Sequence, residues 1–537
     1  MANRQLVLLG ALWVTLLLGV ASLVYRWWVE LPVSTVIPKV APHAVTPADF
    51  EAIRRSLDAE NIEDKVQRCL AYPNPQGSKW DPAVVNAFCR LSRPEILSMA
   101  EIRKALDEGR SKDLDRAFSS YEQRTYEPGQ HGFLTRAYRY TFQEGDDETG
   151  RLAQRWVDLA PGSAFALVAR GLHNSSAAYD ARGGNTARKT AEVRFARAHE
   201  IASAARADLE EALRRDPRLI TAYHGLMPVA QLMSDRALLV SARDRALALD
   251  PADHWVYDDW LNAASTMWGG SPALVQEAVD AAKAHESENP LLTRVAARPM
   301  CDKADYVGCP ECGDRKSAKQ RAQYAVSLYE RALVSTPATC ALRVGGYAAE
   351  WAGDDLAQVR INSQAFRFLE EDEWIFRRAI ALQHLGKPDW GLEGVDRIIA
   401  SQPKNIEALM YRGWVLEGAH RFREAELTFL SGLKIDPSHP QPTTELVNLY
   451  MKSLHEPEKA RAIVARLQAE NPRNPRAWLL ESVLYRHEEE ARCRELLRKY
   501  LALVDEAAAD PYEQQDIDRA RQRLAELEKK LGPSETR

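Results

Sequence analysis

The chain of 537 residues has no excess of positive charge: 71 Lys and Arg against 76 Asp and Glu leave a formal net charge of -5. A nucleic-acid binder normally shows a basic footprint, so nucleic acid is not an expected partner. The short motifs that carry chemistry are also missing. There is no glycine-rich phosphate loop, no pair of histidines at helical spacing and no nucleophile elbow. His487 precedes Glu488-Glu489-Glu490 without a second histidine one turn away, and Glu370-Glu371-Asp372-Glu373 reads as a solvated turn. No catalytic residue, no bound metal and no cofactor are expected. Cysteine is scarce, with seven in the chain, and none follows the first apolar run to take a lipid.

Long apolar runs are nearly absent too. The one present, residues 6–25, holds about 20 uncharged residues, enough to cross a hydrocarbon core of roughly 30 Å. Arg4 precedes it, and Arg26, Trp27 and Trp28 follow; paired tryptophans suit a membrane interface. The run continues past Ala21, which favours an uncleaved anchor. Gly19-Val20-Ala21 keeps open a cleaved signal peptide. Either reading sends the rest of the chain across a membrane. With the anchor, residues 1–5 are cytoplasmic, the lipid bilayer is a partner through residues 6–25, and the bulk is periplasmic on a bacterial inner membrane. Residues 26–46 carry Pro32, Pro38 and Pro42 without periodicity and read as a linker.

What the chain does have is helical periodicity. In residues 406–437, Leu409, Trp414, Val415 and Leu416, then Leu427, Phe429, Leu430 and Leu433, fall at mixed spacings of three and four. That pattern predicts two helices, each buried on one face. Gly413 costs roughly 1 kcal/mol in a helix interior, which predicts a close helix–helix approach, received by Ala425. Pro437 ends the unit. The same register recurs: Pro403 precedes Pro437, which precedes Pro472, and Pro217 precedes Pro251, at intervals near 34 residues.

Gly413, Phe422, Ala425, Phe429 and Pro437 together resemble the tetratricopeptide (TPR) repeat. Arg412 and His420 depart from it, standing where the family usually has Leu and Gly. Residues 48–290 also resemble a bacterial, tetratricopeptide-like domain of unknown function. That likeness rests on a Trp-Val-Asp helix, an Arg-Gly-Gly turn, a long helix ending at Asp216-Pro217, and Met267-Trp268-Gly269-Gly270. The resemblance implies an all-α, right-handed helical-repeat solenoid behind one transmembrane helix. The expected divisions are an N-terminal helical region at 47–145, TPR-like repeats with an insertion at 146–300, a cysteine-containing insert at 301–319, TPR repeats at 320–505 and a polar capping helix at 510–531.

Six cysteines are disulfide candidates. Cys69 and Cys89 bracket a Pro/Gly loop, and a bond there would contribute roughly 2–4 kcal/mol in an oxidising compartment. Cys301, Cys309, Cys312 and Cys340 allow three pairings. Cys309-Pro310-Glu311-Cys312-Gly313 also has the form of a zinc knuckle, which Cys301 and Cys340, His285 or Asp302 could complete. Cys493 is left over as a buried thiol.

The remaining candidate site is a groove. By resemblance, its lining is Glu373, Phe376, Ile380 and His384 in one unit, Glu407, Met410, Trp414 and Glu417 in the next, and Glu445, Leu449 and Lys452 in the third. Such a groove takes an extended or helical peptide with basic or apolar side chains. The expected function is a membrane-anchored, extracytoplasmic scaffold for protein or peptide partners. The alternatives are an envelope redox or zinc-dependent protein using Cys301, Cys309 and Cys312, and a cytoplasmic solenoid with zinc in that insert.

Overall fold

A computed structural model describes residues 38–91, 95–184, 187, 190–308, 317–437, 439–485, 489–504 and 511–532. Among these there is no strand. The chain opens with α1 (Pro47–Ala59), α2 (Lys65–Ala71) and α3 (Pro82–Leu91). The N-terminal half follows as α4 (Met99–Asp107), α5 (Ser111–Thr125), α6 (Phe133–Arg139), α7 (Asp147–Leu159), α8 (Ala164–Arg182), α9 (Glu192–Arg215), α10 (Ile220–Leu232), α11 (Arg236–Leu249), α12 (His254–Ala264) and α13 (Pro272–Lys283). A 3-10 helix, Pro290–Ala297, leads into α14 (Arg298–Gly308) and α15 (Ala318–Ala332). Helix pairs then stack to the end: α16 (Thr339–Ala352) with α17 (Asp355–Leu369), α18 (Asp372–His384) with α19 (Pro388–Ser401), α20 (Ile406–Gly418) with α21 (Phe422–Ile435), α22 (Pro440–Lys452) with α23 (Pro457–Glu470), and α24 (Pro475–Leu484) with α25 (Glu490–Leu503). The last helix, α26 (Pro511–Leu531), lays Ile517, Ala520 and Leu527 against Cys493, Leu497 and Tyr500 of α25.

Two recurring turns generate this order. Where a first helix meets its second, one residue adopts left-handed backbone: Ser234, Gly353, Gly386, His420 and His455. The amide after it reaches back to the helix, as in Asp354 to Ala349, Lys387 to Leu382 and Arg421 to Leu416, which ties off the open carbonyls of the helix end. Where a second helix meets the next unit, Asp216, Asp250 or Asn471 sits extended before a proline, and its side chain accepts from the amide two residues on. Within the pair α20–α21, a Cβ on Gly413 would collide with the Phe429 ring, so the close approach is to Phe429 rather than to Ala425. Successive first helices touch more extensively than successive second helices, so the stack bends with its first helices inside.

The opening segment does not continue the stack in order. It crosses to the middle of the chain and lies along the second-helix face of α15–α19. Arg54 forks onto Glu393 at 2.7 and 2.8 Å. Glu60 accepts from Arg378 at 2.6 and 3.0 Å, from Tyr72 at 2.7 Å, and pairs with Arg397. The Trp80 indole donates to the Leu333 carbonyl at 2.6 Å, and Arg367 donates to the Cys69 carbonyl at 2.7 Å. Ile53 and Leu57 pack with Leu356, Val359, Ala381 and Leu382. The linker expected at residues 26–46 is pinned at its end, because His43 meets Asp354 at 2.8 Å and Glu330 at 3.3 Å. The expected N-terminal region 47–145 is therefore divided: residues 47–91 share the core of α14–α18, and α4–α7 share that of α8–α13.

Two disulfides sit in that shared core, Cys69–Cys89 and Cys301–Cys340. The insert expected at 301–319 is helical through Gly308, and Cys309 and Cys312 lie outside the described residues. The apolar run 6–25 also lies outside them; among the described residues, no helix is long and apolar enough to cross a membrane.

Candidate functional site

The inner face carries its aromatic and acidic side chains on α16, α18, α20 and α22. Period 3.6 brings Glu373, Arg377 and Ile380 to one stripe of α18, and Glu407, Tyr411 and Trp414 to the matching stripe of α20. Arg377 is fixed from three sides. Its guanidinium lies 3.8 Å over the Tyr347 ring and donates to Glu350 at 2.6 Å and Glu373 at 3.0 Å. Tyr347 donates to the same Glu373. One unit on, Tyr411 stacks on Phe376 with centroids 4.7 Å apart and meets Trp414 edge-on at 4.9 Å. Glu445 of α22 lies beside Trp414, and burial pushes its carboxyl up to about 7. Glu417 accepts from Ser453 at 2.9 Å. The result is a half-buried aromatic strip edged by carboxylates, with Arg377 already committed to Glu350 and Glu373.

Against this geometry, the expected lining divides. Ile380, Trp414 and Glu417 are half-buried, and His384 and Lys452 are exposed. Phe376, Met410 and Leu449 are fully buried, in the core between helices, so those three do not line a groove. The reason is register: one residue is a 100° rotation about a helix. Arg377, Tyr411 and Asn448, each one position away, stand nearer the surface, and Arg377 and Tyr411 with Tyr347 are groove residues that the pattern missed. A strict count of helical phase from the buried Gly413 would have found Tyr411.

The cysteine-based alternative loses most of its ligands. Cys301 and Cys340 are consumed by their own bond. Asp302 pairs with Arg298, and His285 with Glu288. Among the described residues no group of His, Cys, Asp and Glu is arranged to hold a metal ion. Cys493 is buried under α26, outside both disulfides.

Residues 98–242 match the family described as "Domain of unknown function (DUF4034)", within the stretch whose turns and long helix suggested such a domain. No curated protein matches. Among solved structures, the TPR domain of P58(IPK) is similar at 14% identity, over 61% of this chain and 95% of that one, with a TM-score of 0.20. Yeast Tom70 is similar at 13% identity, over 69% of this chain and 85% of that one, with a TM-score of 0.30. By its own helix pairs, their period and their shared turns, the chain is a tetratricopeptide-like solenoid, with the match to the domain of unknown function confined to residues 98–242.

Proposed function

We propose that the protein is a non-catalytic scaffold that binds a peptide or protein segment along the inner face of α18–α22, and that it works outside the cytoplasm, held to a bacterial inner membrane by residues 6–25. The observation that carries the binding reading is the strip of Tyr411 and Trp414 beside Glu407, Glu417 and Glu445. Aromatic rings supply area at little entropic cost, and the carboxylates select a segment with basic side chains among apolar ones. The two disulfides support the location, since such bonds persist in oxidising compartments.

Glu445 makes the binding reading testable by pH. Its carboxyl is raised to about 7 by burial, so the folded state favours the protonated form. That contribution to stability is full below the ordinary carboxyl value and is lost as pH rises through about 7. A cationic side chain placed against the carboxylate reverses the preference, so binding tightens as pH rises across the same window. The measurement is affinity for a partner captured from the envelope, taken between pH 5.5 and 8, for wild type, Glu445→Gln, Trp414→Ala and the outer-face control Glu424→Ala. The expected result is a slope for wild type, none for Glu445→Gln, and a loss of about tenfold or more for Trp414→Ala alone. Equal recovery by Trp414→Ala and Glu424→Ala removes the site. Location is read separately, by thiol labelling of intact cells with and without reductant; full labelling without reductant rejects an oxidised, exported solenoid.

A further inference from the structure

The N-terminal half holds a concentration of charge that the aromatic strip does not explain. Gly132, in left-handed backbone at φ 70°, lets α6 press on α12; a Cβ there would strike the Trp255 ring. This contact sets Arg136 and Arg139, one turn apart on α6, beside Asp253, His254 and Trp255. The Arg139 guanidinium lies 4.4 Å from the Trp255 ring centre, and that of Arg294, from the 3-10 helix, lies 5.8 Å from the same ring.

Buried arginines are ordinarily matched by carboxylates, because an unpaired buried charge is costly. The neighbouring pairs obey this. Arg294 pairs with Asp258, and His131 with Asp250 at 2.9 Å. Arg136 and Arg139 do not: among the described residues neither side chain makes a hydrogen bond or an ion pair, although Arg136 is only 8% exposed. The Nε of Arg136 is wholly buried and bonded to nothing; its cationic head rests 5.2 Å from the Phe133 ring. Asp253, which acts on Arg136, is itself enclosed, and burial pushes its carboxyl up to about 7, so it offsets that arginine only in part; Arg139 faces Asp259 and Asp258 without bonding to either. Trp255 Nε1, His254 Nε2 and Arg294 Nε are buried without partners in the same place. Such atoms are rare in a folded protein, and their grouping around two guanidiniums without an ion-paired carboxylate suits an anionic side chain.

We propose that Arg136, Arg139 and Trp255 form an anion site whose ligand is a side-chain carboxylate of an acidic peptide. A guanidinium presents two parallel N–H groups that match the two oxygens of a carboxylate. The group taken up is singly charged, because Asp250, Asp258 and Asp259 close by repel the second charge of a phosphate. The site is on the first-helix side of α10 and α12, far along the chain from α18–α22, and stands or falls independently of the aromatic strip.

The experiment uses the full-length chain and three probes: N-acetylated, C-amidated hexaglutamate, inorganic phosphate and hexalysine. Affinity is read by calorimetry and the thermal midpoint by scanning, for wild type, Arg136→Met, Arg139→Met and Trp414→Ala. Hexaglutamate is expected to bind wild type and Trp414→Ala alike, and both methionine variants about tenfold or more weakly. Without peptide, Arg136→Met is expected to melt at or above the wild-type midpoint, since an unmatched buried cation is gone. A purely structural arginine would do the reverse: a lower midpoint with unchanged hexaglutamate affinity. That result, no hexaglutamate binding to wild type, phosphate binding as tightly, or hexalysine binding that weakens in both methionine variants, overturns the proposal. Should Arg136→Met fail to fold, the half-buried Arg139→Met decides by affinity alone.

Discussion

His420 shows how far a single position can be read. The TPR pattern wants glycine there, and the sequence has histidine. The backbone answers in the pattern's favour, since His420 adopts φ 60° as Gly386 adopts φ 73° at the equivalent turn. A side chain in that region costs about 1–2 kcal/mol, part of it returned as glycine's larger unfolded entropy. His420→Gly is therefore expected to stabilise the chain by about 0.5–1 kcal/mol, measured as a higher urea midpoint at unchanged slope. A lower midpoint would mean that the His420–Phe422 ring contact, at 5.5 Å, outweighs the backbone. Residue identity was thus legible where it dictates a turn. It was less legible where it sets helical phase, because Phe376 and Tyr411 are both aromatic and residue type alone does not separate core from groove.

Among the elements, the repeats from α16 to α25 were legible because each pair buries itself on its immediate neighbours, so the pattern that announces them is local. The opening segment was not. Its partners lie about 300 positions away, and nothing local in α1 says that Glu60 will meet Arg378. That pair is 2% exposed on both sides. Removing one member leaves a buried charge unmatched, at a cost of about 3–5 kcal/mol. Glu60→Ala is expected to destabilise by that order. The double change Glu60→Met with Arg378→Met is expected to recover most of it, since an apolar pair of similar volume often replaces a buried ion pair without loss. Equal losses for the single and double variants would mean that Glu60 matters only through Arg397 and Tyr72.

For the whole molecule, an ordinary solenoid is quasi-one-dimensional, each unit stabilised by its neighbours alone. Here residues 38–91 add contacts across the array, and the Cys69–Cys89 bond holds the loop that seats Trp80 on Leu333. Opening that bond is expected to cost roughly 2–4 kcal/mol of local order. Hydrogen exchange in a Cys69→Ala, Cys89→Ala double variant, with Cys301–Cys340 intact, should quicken in residues 65–91 and in α15–α17 together, while α20–α23 stay unchanged. Exchange that quickens in residues 65–91 alone would show that α15–α17 do not depend on the segment.

The crossing contacts also set a path for mechanical load. Tension applied ahead of residue 38 and resisted at the far end would not travel through α4–α13 in turn. It would pass from His43, Arg54 and Glu60 straight into Asp354, Glu393 and Arg378, leaving the N-terminal half a slack loop outside the line of force.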